Sequence, residues 1–396
     1  MSNAAHITAG LDIGTTKICC VIAKQGSQGV EIIGMGQVPS PGVRRGQVLN
    51  IEATAAAIRK AVSLAQRIAG VEIVSVVVGI ADRTVQSTNC TGMITLNRSE
   101  VSEQDIQRVL ESAKASLTEC DSELLHLIPR EYRVDRVEEV VNPLGMVCSR
   151  LEVRAHIVTV GTTGIRNITK ACQRAGLRVD SVVLQSLASA DAVLTADEIE
   201  MGVALIDIGG GTTDIAVFKH GVLWYTAEIA VAGSDITADL ARQLRILPNE
   251  AEQLKLQCGG CRSERGETVA TGNKKFRRED VVNIITARIE ELISEVATHT
   301  RRSRHGGRLV AGLVITGGTS SLPDLDLFLE QLTNVPVRIG TPTNIHGLSE
   351  VVKHPAFATG VGLVVRESAV PIRPESRQQV SIGAVSKFVG WLKEIF

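Results

Sequence analysis

Two short segments hold the residue types that handle phosphate. Ala9-Gly-Leu-Asp-Ile-Gly-Thr-Thr-Lys-Ile18 and Ala204-Leu-Ile-Asp-Ile-Gly-Gly-Gly-Thr-Thr-Asp-Ile215 read alike: strand, Asp, Ile, Gly-rich turn, Thr pair, charged residue, strand. Gly14 and the run Gly209, Gly210 and Gly211 let backbone N–H groups approach an anion with no Cβ in the way. Thr15, Thr16, Thr212 and Thr213 add hydroxyl donors, and Lys17 is the charged residue that closes the first loop. Asp12 and Asp207 repel phosphate, so they suit a Mg²⁺ held largely through water, which bridges them to the phosphates. A single such loop is readily an ordinary Gly hairpin. Two matching loops in opposite halves of one chain mark an internal duplication. Neither loop has the Gly-x-x-x-x-Gly-Lys-Ser/Thr spacing of a Walker motif, and the first turn has no Rossmann fingerprint.

The surrounding elements alternate as an α/β chain does. Ile7 to Lys24 reads as a β-hairpin, Val30 to Val38 as a third strand, Ile51 to Ala69 as an Ala-rich helix, and Ile73 to Val78 as a buried strand. From about Arg83 to Arg154 the pattern changes to polar alternating strands, Thr84 to Thr88 and Gly92 to Leu96. They flank a helix over Ser102 to Cys120, with Ser102 and Asp105 as its N-terminal cap. This stretch reads as an inserted subdomain. The buried pattern resumes at His156 to Val160, then a helix to Ala175 and a strand at Val179 to Leu184. The second half has strands at Val203 to Ile208, Ile215 to Phe218, Val222 to Val231 and Leu309 to Ile315. It has helices from Ser234 and from Glu279 to about Arg302, with a polar excursion over Gln257 to Arg278.

Composition narrows the function classes. The 396 residues carry a formal charge of −1, which gives no global attraction for nucleic acid or anionic lipid. No nucleic-acid partner is therefore expected. Eight cysteines form no disulfide framework, and with no signal segment ahead of the first strand the chain reads as cytosolic and reduced. Cys258-Gly-Gly-Cys261 has half the spacing of a zinc site and no second pair nearby, so it reads as a loop with two thiols. Only 3% of residues are aromatic, so the core must be built from Val, Ile, Leu and Ala.

The paired loops resemble the phosphate loops of the actin, Hsp70 and sugar-kinase superfamily. Leu184-Gln-Ser-Leu-Ala-Ser-Ala190 resembles its first interdomain connector, where the resemblance makes Gln185 a residue that positions the attacking water. Val314-Ile-Thr-Gly-Gly-Thr-Ser-Ser-Leu-Pro323 resembles the adenosine loop, with Gly317 and Gly318 beneath the base and Thr319 beside them. Ala358-Thr-Gly-Val-Gly-Leu363 resembles the second connector. Glu252 and Lys255, one turn apart, match the pair that contacts ribose and purine, and Gly233 follows Ala232 where many relatives have Gly-Gly.

Several segments are similar to the bacterial cell-division family FtsA: Gly46 to Glu52, His126 to Tyr132, Asn142 to Met146, Arg150 to Thr159, Ala171 to Gly176 and Gly202 to Asp214. The resemblance implies an α/β, actin-like, duplicated two-domain fold with an FtsA-type insertion and a C-terminal amphipathic helix. It divides the chain into subdomain 1A at 1–82 and 156–200, the inserted 1C at 83–155, 2A at 201–248 and 303–367, 2B at 249–302, a linker at 368–383 and the helix at 384–396. It implies ATP and Mg²⁺ as ligands, with hydrolysis slow at most and the nucleotide mainly structural or regulatory. The implied partners are the C-terminal peptide of FtsZ at 2B, further copies of the chain in filaments, and later division proteins at 1C. The run Arg301, Arg302, Arg304 and Arg308 would suit an acidic peptide or simply a solvated helix end.

The last segment points to a membrane. On a helical wheel Val385, Phe388, Val389, Trp391, Leu392, Ile395 and Phe396 share an arc of roughly 160°. At about 20 Å the helix is too short to span a bilayer. Trp and Phe favour the interface, and a surplus of only two basic residues over Arg366 to Glu394 leaves apolar insertion as the main contribution. The expected location is the cytoplasmic face of the inner membrane at the division site. A pilus-assembly relative shares the actin motifs without needing this helix. A small-molecule kinase would need a substrate-specific acid or base that the sequence does not offer, and a chaperone would need a C-terminal peptide-binding domain.

Overall fold

The protein is represented by a computed structural model that describes residues 7–26, 29–115, 121–263, 266–302 and 309–368. The first loop is a hairpin: β1 (Ile7–Ile13) and β2 (Lys17–Gly26) pair antiparallel, with Asp12 opposite Cys19 and Ile13 opposite Ile18. Strand β3 (Gly29–Pro39) continues the meander, followed by a two-residue ribbon, β4 (Val43–Arg44) and β5 (Gln47–Val48). Helix α1 (Ile51–Ala69) starts where the Asn50 side chain accepts from Ala53 N–H at 3.0 Å and stops at Gly70, in the left-handed region at φ 67°. Its alanines let it lie directly on the sheet. A Cβ at Gly36 of β3 would sit 2.1 Å from the Ala61 carbonyl. Strand β6 (Ser75–Ile80) then joins β1 in parallel.

The insertion follows. The two strands expected over 84–96 are one continuous strand, β7 (Gln86–Glu100), because its polar alternation is the open face of a single pleated ribbon rather than a break. Helix α2 (Glu103–Lys114) carries the capping box made by Ser102 and Asp105; the positions foreseen beyond it, including Leu117 and Cys120, lie outside the described residues. Strands β8 (Ser122–Val134), β9 (Val137–Val140) and β10 (Val147–Gly161) complete a sheet ordered β7-β10-β8-β9. Val109, Leu110 and Ala113 of α2 share a core with Leu151, Val153 and Ile157 of β10. The buried run at His156 to Val160 is the far end of β10, not a new strand.

Helix α3 (Thr162–Arg174) and β11 (Arg178–Leu184) return the chain to the first sheet, and α4 (Gln185–Val193) and α5 (Ala196–Met201) lead to the second half. There β12 (Val203–Ile208), β13 (Thr213–Lys219) and β14 (Val222–Ile229) repeat the antiparallel meander. Helices α6 (Gly233–Leu244) and α7 (Pro248–Cys258) come next. The polar excursion contains a hairpin, β15 (Thr268–Thr271) and β16 (Lys274–Arg277), before the long α8 (Arg278–Arg302). Strand β17 (Gly312–Thr316), helix α9 (Leu325–Thr333), β18 (Val337–Ile339), β19 (Ile345–Gly347), α10 (Ser349–Val352) and α11 (Ala358–Ser368) finish the described chain.

The two large sheets run β11-β6-β1-β2-β3-β19 and β14-β13-β12-β17-β18. Each is a three-strand meander whose first strand takes a parallel neighbour, so the duplication expected from the paired loops is present in the topology. Helices α4 and α11 cross at the join. A Cβ on Gly362 would fall 1.6 Å from the Ala188 carbonyl, so only Gly permits this crossing. Such close backbone contacts explain how a core with few aromatic rings closes. No helix among the described residues is long and apolar enough to cross a membrane. Residues 384–396, which carry the expected amphipathic face, lie outside the described residues.

Candidate functional site

The two Gly-rich turns have the same length and closure. Gly14 N–H donates to the Lys17 carbonyl at 3.0 Å, and Gly209 N–H to the Thr212 carbonyl at 3.0 Å. This register corrects one detail of the sequence comparison. Thr15 and Thr16 correspond to Gly210 and Gly211, not to Thr212 and Thr213, and Lys17 corresponds to Thr212. The two extra glycines of the second motif occupy the turn itself, which pushes its Thr pair two positions towards β13.

The turns meet tip to tip. A Cβ on Gly210 would lie 2.3 Å from Thr16 Cγ2, and one on Gly211 would lie 2.3 Å from Thr15 Oγ1. Thr15 Oγ1 also accepts from Gly46 N–H at 3.0 Å, which explains why Gly46-Gln-Val-Leu is placed beside the loop. Thr213 commits its hydroxyl to the Val231 carbonyl at 2.7 Å. Lys17 Nζ donates to the Ala356 carbonyl and stands 4.6 Å from the Phe357 ring centroid, so it reaches across to the turn before α11.

Behind the turns sit the two strand-end carboxylates, both buried. Gln185 Nε2 donates to Asp12 Oδ1 at 3.2 Å. Burial pushes Asp12 up to about 6, opposed by the charge of Lys17 and reinforced by that of Asp207. Asp207 Oδ2 accepts from Ser189 Oγ at 2.6 Å and from Thr359 Oγ1 at 3.3 Å, and these two hydroxyls are 2.9 Å apart. Burial raises Asp207, and the two hydroxyl donors pull it back down. Asp214 is pushed well up by burial and by the neighbouring charge of Glu228. No group of three or more His, Cys, Asp or Glu converges on one point among the described residues. The carboxylates therefore offer a hydrated cation two anchor points rather than a closed shell of ligands.

The remaining expected residues gather on the second-half side. Thr319 Oγ1 donates to the Gly209 carbonyl at 2.8 Å, and Gly233 N–H to the same carbonyl at 3.1 Å. Gly317, at φ 85°, would place a Cβ 2.3 Å from Asp207 Oδ1, whereas at Gly318 the nearest atom to a Cβ would be Ala356 Cβ at 4.0 Å. Lys255 is buried and donates to Gly233 O at 3.1 Å and Thr237 Oγ1 at 2.9 Å, with Glu252 Oε2 at 2.8 Å. Glu252 in turn accepts from the Thr237 hydroxyl. Cys258 and Cys261 are free thiols, the latter buried and pushed up to about 12 by burial. Residues Val385 to Phe396 are outside the description, as are Arg304 and Arg308 of the basic run.

Reading motifs missed Ser189 and Thr359 as individual contributors. Both sit inside the connector segments already singled out, and their small hydroxyl side chains on apolar helices were the available signal.

The site thus presents glycine-lined backbone, hydroxyls, Lys17 and Lys255, and the buried carboxylates Asp12 and Asp207, a set suited to a polyphosphate and a hydrated divalent cation. Two family profiles match: "Cell division protein FtsA" over residues 204–362 and "SHS2 domain inserted in FTSA" over residues 83–159. The cell division protein FtsA of Pseudomonas aeruginosa is 39% identical over 372 residues, 91% of this chain and 89% of that one. That of Escherichia coli K12 is 32% identical over 412 aligned residues, 98% of each chain. Among solved structures, the PilM–PilN type IV pilus biogenesis complex aligns with a TM-score of 0.70 at 18% identity, covering 91% of this chain and 98% of that one. MreB 5 of Spiroplasma citri bound to AMPPNP aligns with a TM-score of 0.53 at 13% identity, covering 91% and 96%. These two likenesses establish an actin-like fold and nothing finer.

Proposed function

This chain belongs to the FtsA family of cell division proteins, and on that premise we propose that it binds ATP with Mg²⁺ in its cleft and links the FtsZ ring to the membrane. The observation that carries the nucleotide reading is the tip-to-tip meeting of the two Gly-rich turns, with buried Asp12 and Asp207 directly behind them. The fit is good. At Gly210 and Gly211 the space a Cβ would take is filled by the Thr16 and Thr15 side chains, so these glycines let the two turns interlock and bring the N–H groups and hydroxyls of both loops to one place. Asp12 and Asp207 would hold the water shell of a divalent cation, and that cation would neutralise phosphate charge. Gln185, tied to Asp12, would orient a water, Glu252 and Lys255 on α7 would contact ribose and purine, and Gly317 and Gly318 would line the base. The AMPPNP bound by the MreB structure supports this reading by analogy of fold.

Residues of both halves would contact a bound nucleotide, which would then bias the angle between them. The segment 384–396 inserts Phe388, Trp391 and Phe396 into the cytoplasmic leaflet, the FtsZ tail docks on 2B, and the inserted 1C receives later division proteins. Self-assembly multiplies a weak anchor by avidity. Liposome co-sedimentation with and without residues 384–396, with and without ATP–Mg²⁺, and scored for FtsZ recruitment, tests each part. Equal pelleting of both forms removes the membrane role, and lipid binding without FtsZ removes the tether.

A further inference from the structure

The edge strand β14 turns one face to the insertion along most of its length. Trp224 is the extra residue of a β-bulge, and the Arg130 guanidinium of β8 lies over its ring, 3.6 Å from the centroid. Two residues on, Thr226 Oγ1 lies 3.1 Å from His156 Nε2 of β10, and the Thr226 carbonyl accepts from Ser87 Oγ of β7 at 2.7 Å. His156 Nδ1 stands 2.8 Å from Asn89 Oδ1, so Nδ1 carries the proton and Nε2 accepts from Thr226. Two residues further, Glu228 brings its solvent-shielded carboxyl towards Asp82 and Arg83, where the chain crosses into the insertion. Strands β7, β8 and β10 belong to the first half in sequence, yet all three lean on the second.

The same strand is wired to the phosphate loop. β14 pairs with β13 from Lys219–Val222 to Thr213–Ile229, and β13 begins where the Gly209 turn ends. On its other side the insertion is fixed to the first half: His126 Nε2 of β8 accepts from Leu184 N–H at 3.0 Å, one residue before Gln185. Any rotation of the second half against the first must therefore carry the insertion along or break the seam. Buried bonds such as His156–Thr226 do not stretch gradually, because a half-broken pair leaves both groups unsatisfied. We infer that this seam couples the phosphate loop of the second half to the orientation of the insertion, so that ligand in the cleft and a protein docked on the insertion bias one another. The coupling rests on the nucleotide reading above and is reciprocal, as any linkage between binding sites is.

The chain supplies its own reporter, since Trp224 and Trp391 are its two tryptophans. In full-length Trp391→Phe protein, Trp224 emission should change on titration with ATP–Mg²⁺ and follow the binding curve measured independently by equilibrium dialysis. Adding His156→Phe should suppress the emission change and shift the ATP Kd by about fivefold or more. Ser87→Ala and Arg130→Met, which remove seam contacts outside the deepest part, should do the same in smaller measure if the histidine variant does not fold. ATP binding by dialysis with silent Trp224 emission, and an unchanged Kd in the seam variants, overturns the coupling and leaves the nucleotide reading standing. Absence of ATP binding overturns both.

Discussion

The two Gly-rich hairpins share a backbone and divide the side chains between them. In the first, Thr15, Thr16 and Lys17 fill the turn; in the second the same positions are Gly210, Gly211 and Thr212. Because the tips interlock, only one can carry side chains without collision. The carboxylates behind them differ as well. Asp12 takes one amide from Gln185 on α4, whereas Asp207 takes hydroxyls from Ser189 on α4 and Thr359 on α11, so both crossing helices hold it. A duplicated fold has kept its geometry and specialised its halves: the first contributes hydroxyls and charge, the second contributes space and a rigidly held carboxylate.

The interlock is the part of this comparison easiest to break. Gly211→Val would force a side chain into Thr15 and part the turns, so ATP binding should fall by at least about 100-fold. A cost of several kcal/mol in stability is also expected, as overpacking at backbone contacts commonly exacts. Gly211→Ala should be milder, and Thr15→Gly in the same chain should recover a large part of its loss. Calorimetric titration of the two single variants and the double variant measures this as a coupling energy. Strict additivity would show that the tips do not meet in solution.

Much of this was legible in the sequence. Both hairpins, α1, the Ser102–Asp105 cap of α2 and the buried strands stand close to where periodicity and turn chemistry put them, since each is decided locally. The change of pattern after Arg83 announced the insertion. What could not be read depends on partners far along the chain. Ser189 meets Asp207 and Thr359 meets Asp207 across 18 and 152 positions. Nothing in an apolar helix distinguishes such a hydroxyl from a tolerated one. The Thr-pair offset was hidden because matching letters aligned more naturally than matching turns. The lean of β7, β8 and β10 onto β14 has no local signature at all.

The insertion extends the contrast between the halves, because it holds each with a buried histidine. Burial brings both His126 and His156 down to about 3, so each folds in its neutral form. A histidine so depressed contributes stability that is complete above its unfolded value near 6.5 and is lost as pH falls towards 3. By pH 5 each should have lost about 2 kcal/mol. Glu228, raised to about 8 by burial and by the charge of Asp82, acts in the opposite sense, its contribution falling as pH rises from about 4.5 towards 8. The comparison must therefore be between variants: urea unfolding at pH 7.5 and pH 5 should show a shallower acid loss in His156→Gln than in the parent. Parallel slopes would remove His156 as a neutral grip on the second half.

The two carboxylate holders give a finer contrast. Ser189→Ala takes a 2.6 Å hydroxyl donor from a buried carboxylate and should cost about 2 kcal/mol, in the range for hydrogen bonds to charged groups. Gln185→Ala removes a 3.2 Å amide donor from Asp12 and should cost about 1 kcal/mol, because the longer bond contributes less. On the proposed reading the order should reverse for hydrolysis, with Gln185 orienting the water and Ser189 only steadying Asp207. Phosphate release measured beside unfolding separates these roles. If Ser189→Ala lowers hydrolysis more than Gln185→Ala at saturating ATP, the connector hydroxyls matter more to the chemistry than the glutamine, and the division of labour drawn between the hairpins has to be redrawn around Asp207.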